Sequence, residues 1–290
     1  MNILIYGQVY KPNHRECLLE VLKALEKEGF APYADEAYWA QTEPVVRDHK
    51  GVTIFKNFET NPIDVVMAFG GDGTVLGAIS LVNEYQVPVM GINLGRLGYL
   101  SSIEGKVAGF AVSELAKGRY HYDERSMVRL ETTADIFKNS KVALNDFTLH
   151  KRDTSSMIII HTYIDGELLN SFWADGLIIA TPTGSTGYSL SCGGPIVFPN
   201  SGSLVITPVA PHNLSVRPIV IPDTSVISFE IEGRADSFLC TLDSRFEAVT
   251  AEDKLTVRKA KVVTRFIQLY NYSFLRTLHD KLTWGKDSRN

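Results

Sequence analysis

The chain has 290 residues, 44% of them hydrophobic, and a formal net charge of −4 without a basic run. That is ample for one large domain or two smaller ones and argues against general nucleic-acid binding. Cys17, Cys192 and Cys240 lie far apart without metal-ligand spacing, as expected of reduced thiols in a cytoplasmic protein. The N-terminus enters ILIYG too soon for a signal peptide, and no apolar run reaches the roughly 18 residues of a membrane span, so no membrane association is expected.

Residues 3–6 read as a buried strand. Cys17, Leu18, Val21, Leu22 and Leu25 recur at helical spacing, and Gly29 stops that helix. Residues 30–60 show no clear period. An apolar strand over 65–69 turns through Gly70-Gly71-Asp72-Gly73-Thr74 into a helix opened by Val75, Leu76 and Ile79. A strand over 87–92 and a helix over 107–115 follow. This alternation predicts a parallel α/β sheet with ligands near the strand C-termini. From about residue 120 the pattern changes to strands separated by turns. They are expected at 126–132, 141–149, 157–164, 176–180, 204–208, 226–231, 238–242, 255–258 and 262–270. A short helix over 274–282 closes the chain.

Two clusters carry chemistry. In the first, Gly70, Gly71 and Gly73 clear side chains from a turn whose amides suit a phosphate, with Thr74 beside them. A carboxylate there repels that anion. Asp72 therefore reads as a proton acceptor for an attacking hydroxyl or as a Mg²⁺ ligand, with capping of the next helix as the alternative. Glycines at 71, 73 and 77 do not make the dinucleotide fingerprint of oxidoreductases, because Leu stands at 76, and no P-loop occurs.

The second cluster is the loop 181–188. Thr181, Thr183, Ser185 and Thr186, with Gly184 and Gly187, can surround a phosphate or ribose, and Tyr188 offers a ring to a base. A polar surface loop is the plainer reading. Asn145 could read a carboxamide or an adenine edge, and Asp146 could hold a ribose diol, against a bulge or turn. Asp175 is a turn former or a ligand. His212, in the stiff segment 208–218, meets a ligand, a neighbouring subunit or its own loop. No metal-ligand motif occurs, and no residue is assigned to a metal.

These motifs taken together resemble the bacterial NAD kinase family. The resemblance rests on GGDGT (70–74), GINLGRLGYL (91–100), ALND (143–146), DGLIIATPTGSTGYSLSCGGPIV (175–197), ITPVAPHNLSVRPIVI (206–221) and KLTW (281–284). GGDGT alone also occurs in lipid kinases, whereas the ordered set is specific. The resemblance implies an NAD kinase/diacylglycerol kinase-like two-domain fold. A parallel α/β domain, 1–120 joined by 271–290, would precede a β-rich NAD-binding domain, 121–270, with the substrate in the cleft between them.

The same resemblance implies transfer of the ATP γ-phosphoryl to the adenosine-side 2′-hydroxyl of NAD, with a divalent cation such as Mg²⁺, by a homodimer or homotetramer. It places Asp72 at the base, Gly73 beside the dinucleotide, Asn145 on it and Asp175 near the nicotinamide end. Thr186 and Tyr188 fall in the loop lining the NAD site, with Ser191 in the same motif. The sequence departs at Asp146, where Glu is usual, at Gly187, where Ala is usual, and at Asp243-Ser244, where Asp-Gly is common. With no lysine in the glycine turn, metal and backbone would carry the phosphoryl charge. A lipid or small-alcohol kinase sharing GGDGT and a non-catalytic dinucleotide sensor are the alternatives.

Overall fold

The computed structural model describes all residues except 83, 96–97, 139, 153–155, 271–272 and 283–290. Parts of two motifs, Arg96 and Leu97 of the 91–100 segment and Thr283 and Trp284 of KLTW, therefore lie outside the described residues. The chain divides into two compact units, Met1–Glu124 with Arg265–Asn290, and Arg125–Thr264.

The first unit opens with β1 (Asn2–Tyr6), α1 (Arg15–Lys27), β2 (Ala31–Ala34), α2 (Glu36–Trp39), α3 (Pro44–Arg47) and β3 (Thr53–Ile54). It continues with β4 (Val65–Phe69), α4 (Asp72–Val82), β5 (Val89–Asn93), β6 (Ile103–Glu104) and α5 (Ala108–Ala116). The strands pair in parallel in the order β5-β4-β1-β2-β3, with β6 on β5. Every residue of β4 and β5 is buried, as both faces of a parallel sheet must be when helices cover them. Leu18, Val21, Leu22 and Leu25 form the apolar stripe of α1 and enter the core with Ile3, Ile5, Val65 and Met67. The unpatterned stretch 30–60 holds two short strands and two helices of four residues, too short to show a period.

The second unit takes in most of β7 (His121–Thr132), then β8 (Val142–Ala143), β9 (Asp146–Lys151), β10 (Ile158–Ile164), β11 (Glu167–Ala174), β12 (Gly176–Ala180) and α6 (Tyr188–Ser191). There follow β13 (Ser203–Val209), β14 (Ile219–Pro222), β15 (Ile227–Glu232), β16 (Phe238–Leu242), β17 (Arg245–Val249) and β18 (Leu255–Gln268). One antiparallel sheet runs β14-β13-β12-β9-β16-β17. The other runs β11-β10-β15-β18, with β7 on β18 and β8 on β7. Their inner faces form one core, in which Phe147 of the first stacks on Phe229 of the second at 5.4 Å; this is a sandwich. After β18 the chain rejoins the first unit, where Phe274 of α7 (Phe274–Leu282) lies 6.4 Å from the Tyr99 ring.

Two sequence expectations change. The strand expected over 141–149 is two strands in different sheets, because the chain turns a corner at Leu144-Asn145. The strands expected at 255–258 and 262–270 are one, β18. The division between units falls inside β7 and β18, each of which runs on without a break.

Candidate active site

The end of β4 delivers the glycine turn and α4 begins at Asp72. The half-buried Asp72 carboxylate is held from the opposite loop rather than by its own helix. Oδ1 accepts from Leu100 N–H at 3.0 Å, Ser101 N–H at 3.0 Å and Ser101 Oγ at 3.1 Å, and Oδ2 accepts from Tyr99 N–H at 2.9 Å. Asn93, at the end of β5, donates to Ser101 Oγ at 2.9 Å and accepts from Gly95 N–H at 2.7 Å. A Cβ on Gly98 would overlap Asp72 Oδ1, so only glycine lets this loop close on the carboxylate. The helix-cap reading of Asp72 is thus replaced: the residue anchors the 99–101 turn. Among the described residues Oδ2 accepts one bond, from Tyr99 N–H, which leaves it a lone pair for another partner.

On the other side of the turn, Gly70, Gly71 and Thr74 line a cavity of about 400 Å³ together with Lys11, Asn13 and His14. A Cβ at Gly71 or Gly73 would meet nothing within 4 Å, so both face open space. The loop after β1 therefore brings a lysine to a turn that has none of its own. Burial, then the nearby Lys11 charge, pushes the His14 imidazole down. Its Nδ1 accepts the Lys11 N–H at 3.3 Å. Lys11, Asn13 and His14 went unnoticed in the sequence; their signal is their place just past the C-terminal end of a parallel strand, where such sheets bind ligands.

In the second unit, strand alternation puts Asp146, Thr148 and His150 of β9 on one face, while Phe147 and Leu149 enter the core. The loop after β12 packs on the 144–146 corner. Thr181 N–H donates to Asn145 O at 2.8 Å, and Thr181 Oγ1 donates to Leu144 O at 2.5 Å. Gly184 lies so close that a Cβ there would overlap the Asn145 carbonyl. Tyr188 stacks on His150, with centroids 5.6 Å apart, and its hydroxyl is 3.1 Å from His150 Nε2. Lys151 pairs with Asp175 at 2.5 Å. Sequence reasoning missed His150 and Lys151, although the period of two from Asp146 leads to His150.

Not every expected ligand residue is available. Ser185 is 0% exposed; its hydroxyl donates to Pro182 O at 2.7 Å and accepts from Val197 N–H at 2.9 Å, so it ties the loop together instead of facing a ligand. Thr183 is buried and accepts from Arg125 at 3.2 Å. Thr186 Oγ1 donates to Thr183 O at 3.1 Å but stays half-buried, beside the half-buried Gly187 and the exposed Ser191. His212 packs by Trp173, donating its N–H to the Trp173 carbonyl at 2.8 Å, in a hollow of about 300 Å³ that none of the 145–188 candidates lines.

Burial, with the neighbouring Asp243 charge, pushes the Asp146 carboxyl up to about 7. An acid raised on folding holds its proton in the native state after the unfolded chain has released it. The contribution of Asp146 to stability therefore falls as pH rises from about 4 through about 7. Asp146→Asn should flatten that slope, and its stability advantage in urea unfolding should appear above about pH 4 and level off beyond about pH 7. Equal slopes in the two proteins would show that Asp146 ionises as readily folded as unfolded.

A parallel α/β unit with an anion-ready glycine turn, followed by a β sandwich carrying a hydroxyl-rich loop, defines a nucleotide-binding, kinase-like class of two-unit protein. Comparison with known proteins makes this specific. Family models described as "ATP-NAD kinase N-terminal domain" and "ATP-NAD kinase C-terminal domain" match residues 18–120 and 144–269. The NAD kinase of Cytophaga hutchinsonii is 49% identical over 227 residues, covering 78% of both chains. That of Christiangramia forsetii is 38% identical over the full length of both. The chain belongs to the ATP-NAD kinase family. Two solved structures share its fold. Yeast NADH kinase complexed with NADH has a TM-score of 0.87 at 24% identity, covering 99% of this chain and 88% of its own. An Archaeoglobus fulgidus NAD kinase in complex with ATP has a TM-score of 0.74 at 22% identity, covering 98% and 99%.

Proposed function

We infer that this chain is an ATP-dependent NAD kinase that transfers the γ-phosphoryl of ATP to the 2′-hydroxyl of the adenosine ribose of NAD, yielding NADP. The observation that carries the chemistry is Asp72, whose carboxylate is oriented by four donors among the described residues, one of them on Oδ2. A secondary hydroxyl is a weak nucleophile, and Oδ2 accepts its proton as it attacks. The 70–74 amides and Lys11 receive the polyphosphate, where negative charge grows in transfer. Asn145, Asp146, Asp175, Thr186, Gly187, Tyr188 and Ser191 hold the dinucleotide so that one hydroxyl reacts.

Among the described residues no three of His, Cys, Asp and Glu form a metal cage. A kinase Mg²⁺ needs only one or two carboxylates besides phosphate oxygens; Asp72 Oδ2 is the candidate, as the alternative to its role as base, since one lone pair cannot take both the cation and the proton. Bound there, the cation would offset phosphate charge. Leu168 and Trp173 are more than half exposed on β11, the edge strand of its sheet, which supports a homodimer or homotetramer. Three free thiols support a reducing, cytoplasmic setting.

Purified protein given NAD, ATP and Mg²⁺ should form NADP that a strictly NADP-dependent dehydrogenase reduces. Tight dinucleotide binding without NADP under varied metals and phosphate donors would instead make it a sensor. Transfer to diacylglycerol or sphingosine but not to NAD would make it a lipid kinase.

A further inference from the structure

We propose that Asp243 is a positioning residue for dinucleotide recognition, acting through Asn145 and Asp146 by clamping the corner on which both stand. The inference rests on the reading of Asn145 as a dinucleotide contact. Asp243 sits in the turn between β16 and β17, and its carboxylate reaches back to β9. Oδ1 accepts from Asn145 N–H at 2.7 Å and Asp146 N–H at 3.3 Å, and Oδ2 accepts from Leu144 N–H at 3.0 Å. Its own N–H donates to Asp146 O at 3.0 Å. Arg245, two residues on, donates to Ser140 O at 2.7 Å and to Val142 O, fixing the strand that enters the corner. Thr181 takes the remaining carbonyl of Asn145. Both backbone groups of Asn145 are therefore fixed, and its side-chain amide is the part left to meet a ligand.

The backbone says that the carboxylate is the point of this residue. Asp243 has φ +53°, in the left-handed region that Gly adopts without the steric cost of a Cβ. Ser244 does not share that angle. A residue serving the turn alone would be better as Gly. Only Asp supplies an anionic acceptor for three amides, and its charge also acts on the Asp146 carboxyl beside it. The other titratable groups acting on this pair are Arg245, against Asp243, and Tyr188, beside Asp146.

Two variants separate clamp from turn. Asp243→Gly relieves the backbone and deletes the clamp; Asp243→Asn keeps the angle and removes the charge. Both should raise the KM for NAD about tenfold or more while kcat stays within about threefold and the KM for ATP is unchanged. In Asp243→Asn the pH profile of NAD binding should also move to lower pH, because Asp146 loses a neighbouring charge. Asn145→Ala should add little to Asp243→Asn, since both remove one interaction. A wild-type NAD KM in Asp243→Gly, with equal or higher melting temperature, overturns the proposal. If both variants fail to fold, Asp243→Glu retains the charge but pushes the corner outward, and an unchanged NAD KM there overturns it equally. Asn145→Ala with unchanged NAD KM would refute the dinucleotide contact itself. A raised KM in Asn145→Ala, but not in the Asp243 variants, would refute only the clamp.

Discussion

Asp72→Asn is expected to lower kcat by roughly 10²–10⁴-fold while NAD still binds. Asn is nearly isosteric and cannot take up a proton near neutral pH. With its amide oxygen in the Oδ1 position it keeps the Leu100 and Ser101 donors, and its NH₂ group then faces the Tyr99 N–H. The loss of that one bond costs about 1–2 kcal/mol. A 10²-fold fall in rate corresponds to about 2.7 kcal/mol, so displacement of the 99–101 turn accounts for only part of the expected effect. Three measurements on one variant decide: kcat at saturation, NAD affinity by calorimetry and Mg²⁺ dependence. A low kcat with intact NAD affinity and no rescue by extra Mg²⁺ identifies a base; partial rescue identifies a metal ligand. A near-wild-type kcat would leave Asp72 as the anchor of a turn and nothing more.

Lys11→Ala is expected to cut kcat/KM for ATP by about 10²-fold and leave NAD affinity unchanged, if its charge meets the polyphosphate in the cavity it lines. The lysine lines the same cavity as Gly70, Gly71 and Thr74, and its side chain is exposed, so the fold should tolerate the change. Lys11→Arg should recover part of the loss, because the charge returns with a different shape. Wild-type ATP kinetics in Lys11→Ala would mean that the backbone amides and cation carry the phosphoryl charge alone.

The strand, turn and helix around Asp72 were legible because a five-residue apolar run, three glycines and a resumed apolar stripe each have one structural reading. So was the alternation of the first unit and the β-rich character of the second. β11, β14 and β17 were not. Their exposed Leu168, Trp173, Val220 and Phe246 blur the contrast between faces on which strand recognition depends. Ser185 and Thr186 look alike in sequence, since a hydroxyl that ties a loop and one that meets a ligand have the same donors and acceptors. Only packing separates the buried Ser185 from its half-buried neighbour. Lys11 and the 70–74 turn are far apart in the chain, and no local pattern announces that a parallel sheet brings them together.

The corner at Leu144-Asn145 bears on how the recognition segment comes apart. Binding loops commonly open at little cost, independently of the domain that carries them. Here three consecutive amides are tied to a carboxylate on β16–β17, the flanking strands β8 and β9 lie in opposite sheets, and Phe147 follows at once in the shared core. The segment has no small opening available to it. Its amide protons at 144–146 should exchange with solvent as slowly as those of the central strands, in the same cooperative event. Asn145, proposed to meet the dinucleotide, is then exposed to proteases or to misplacement only when the sandwich itself unfolds.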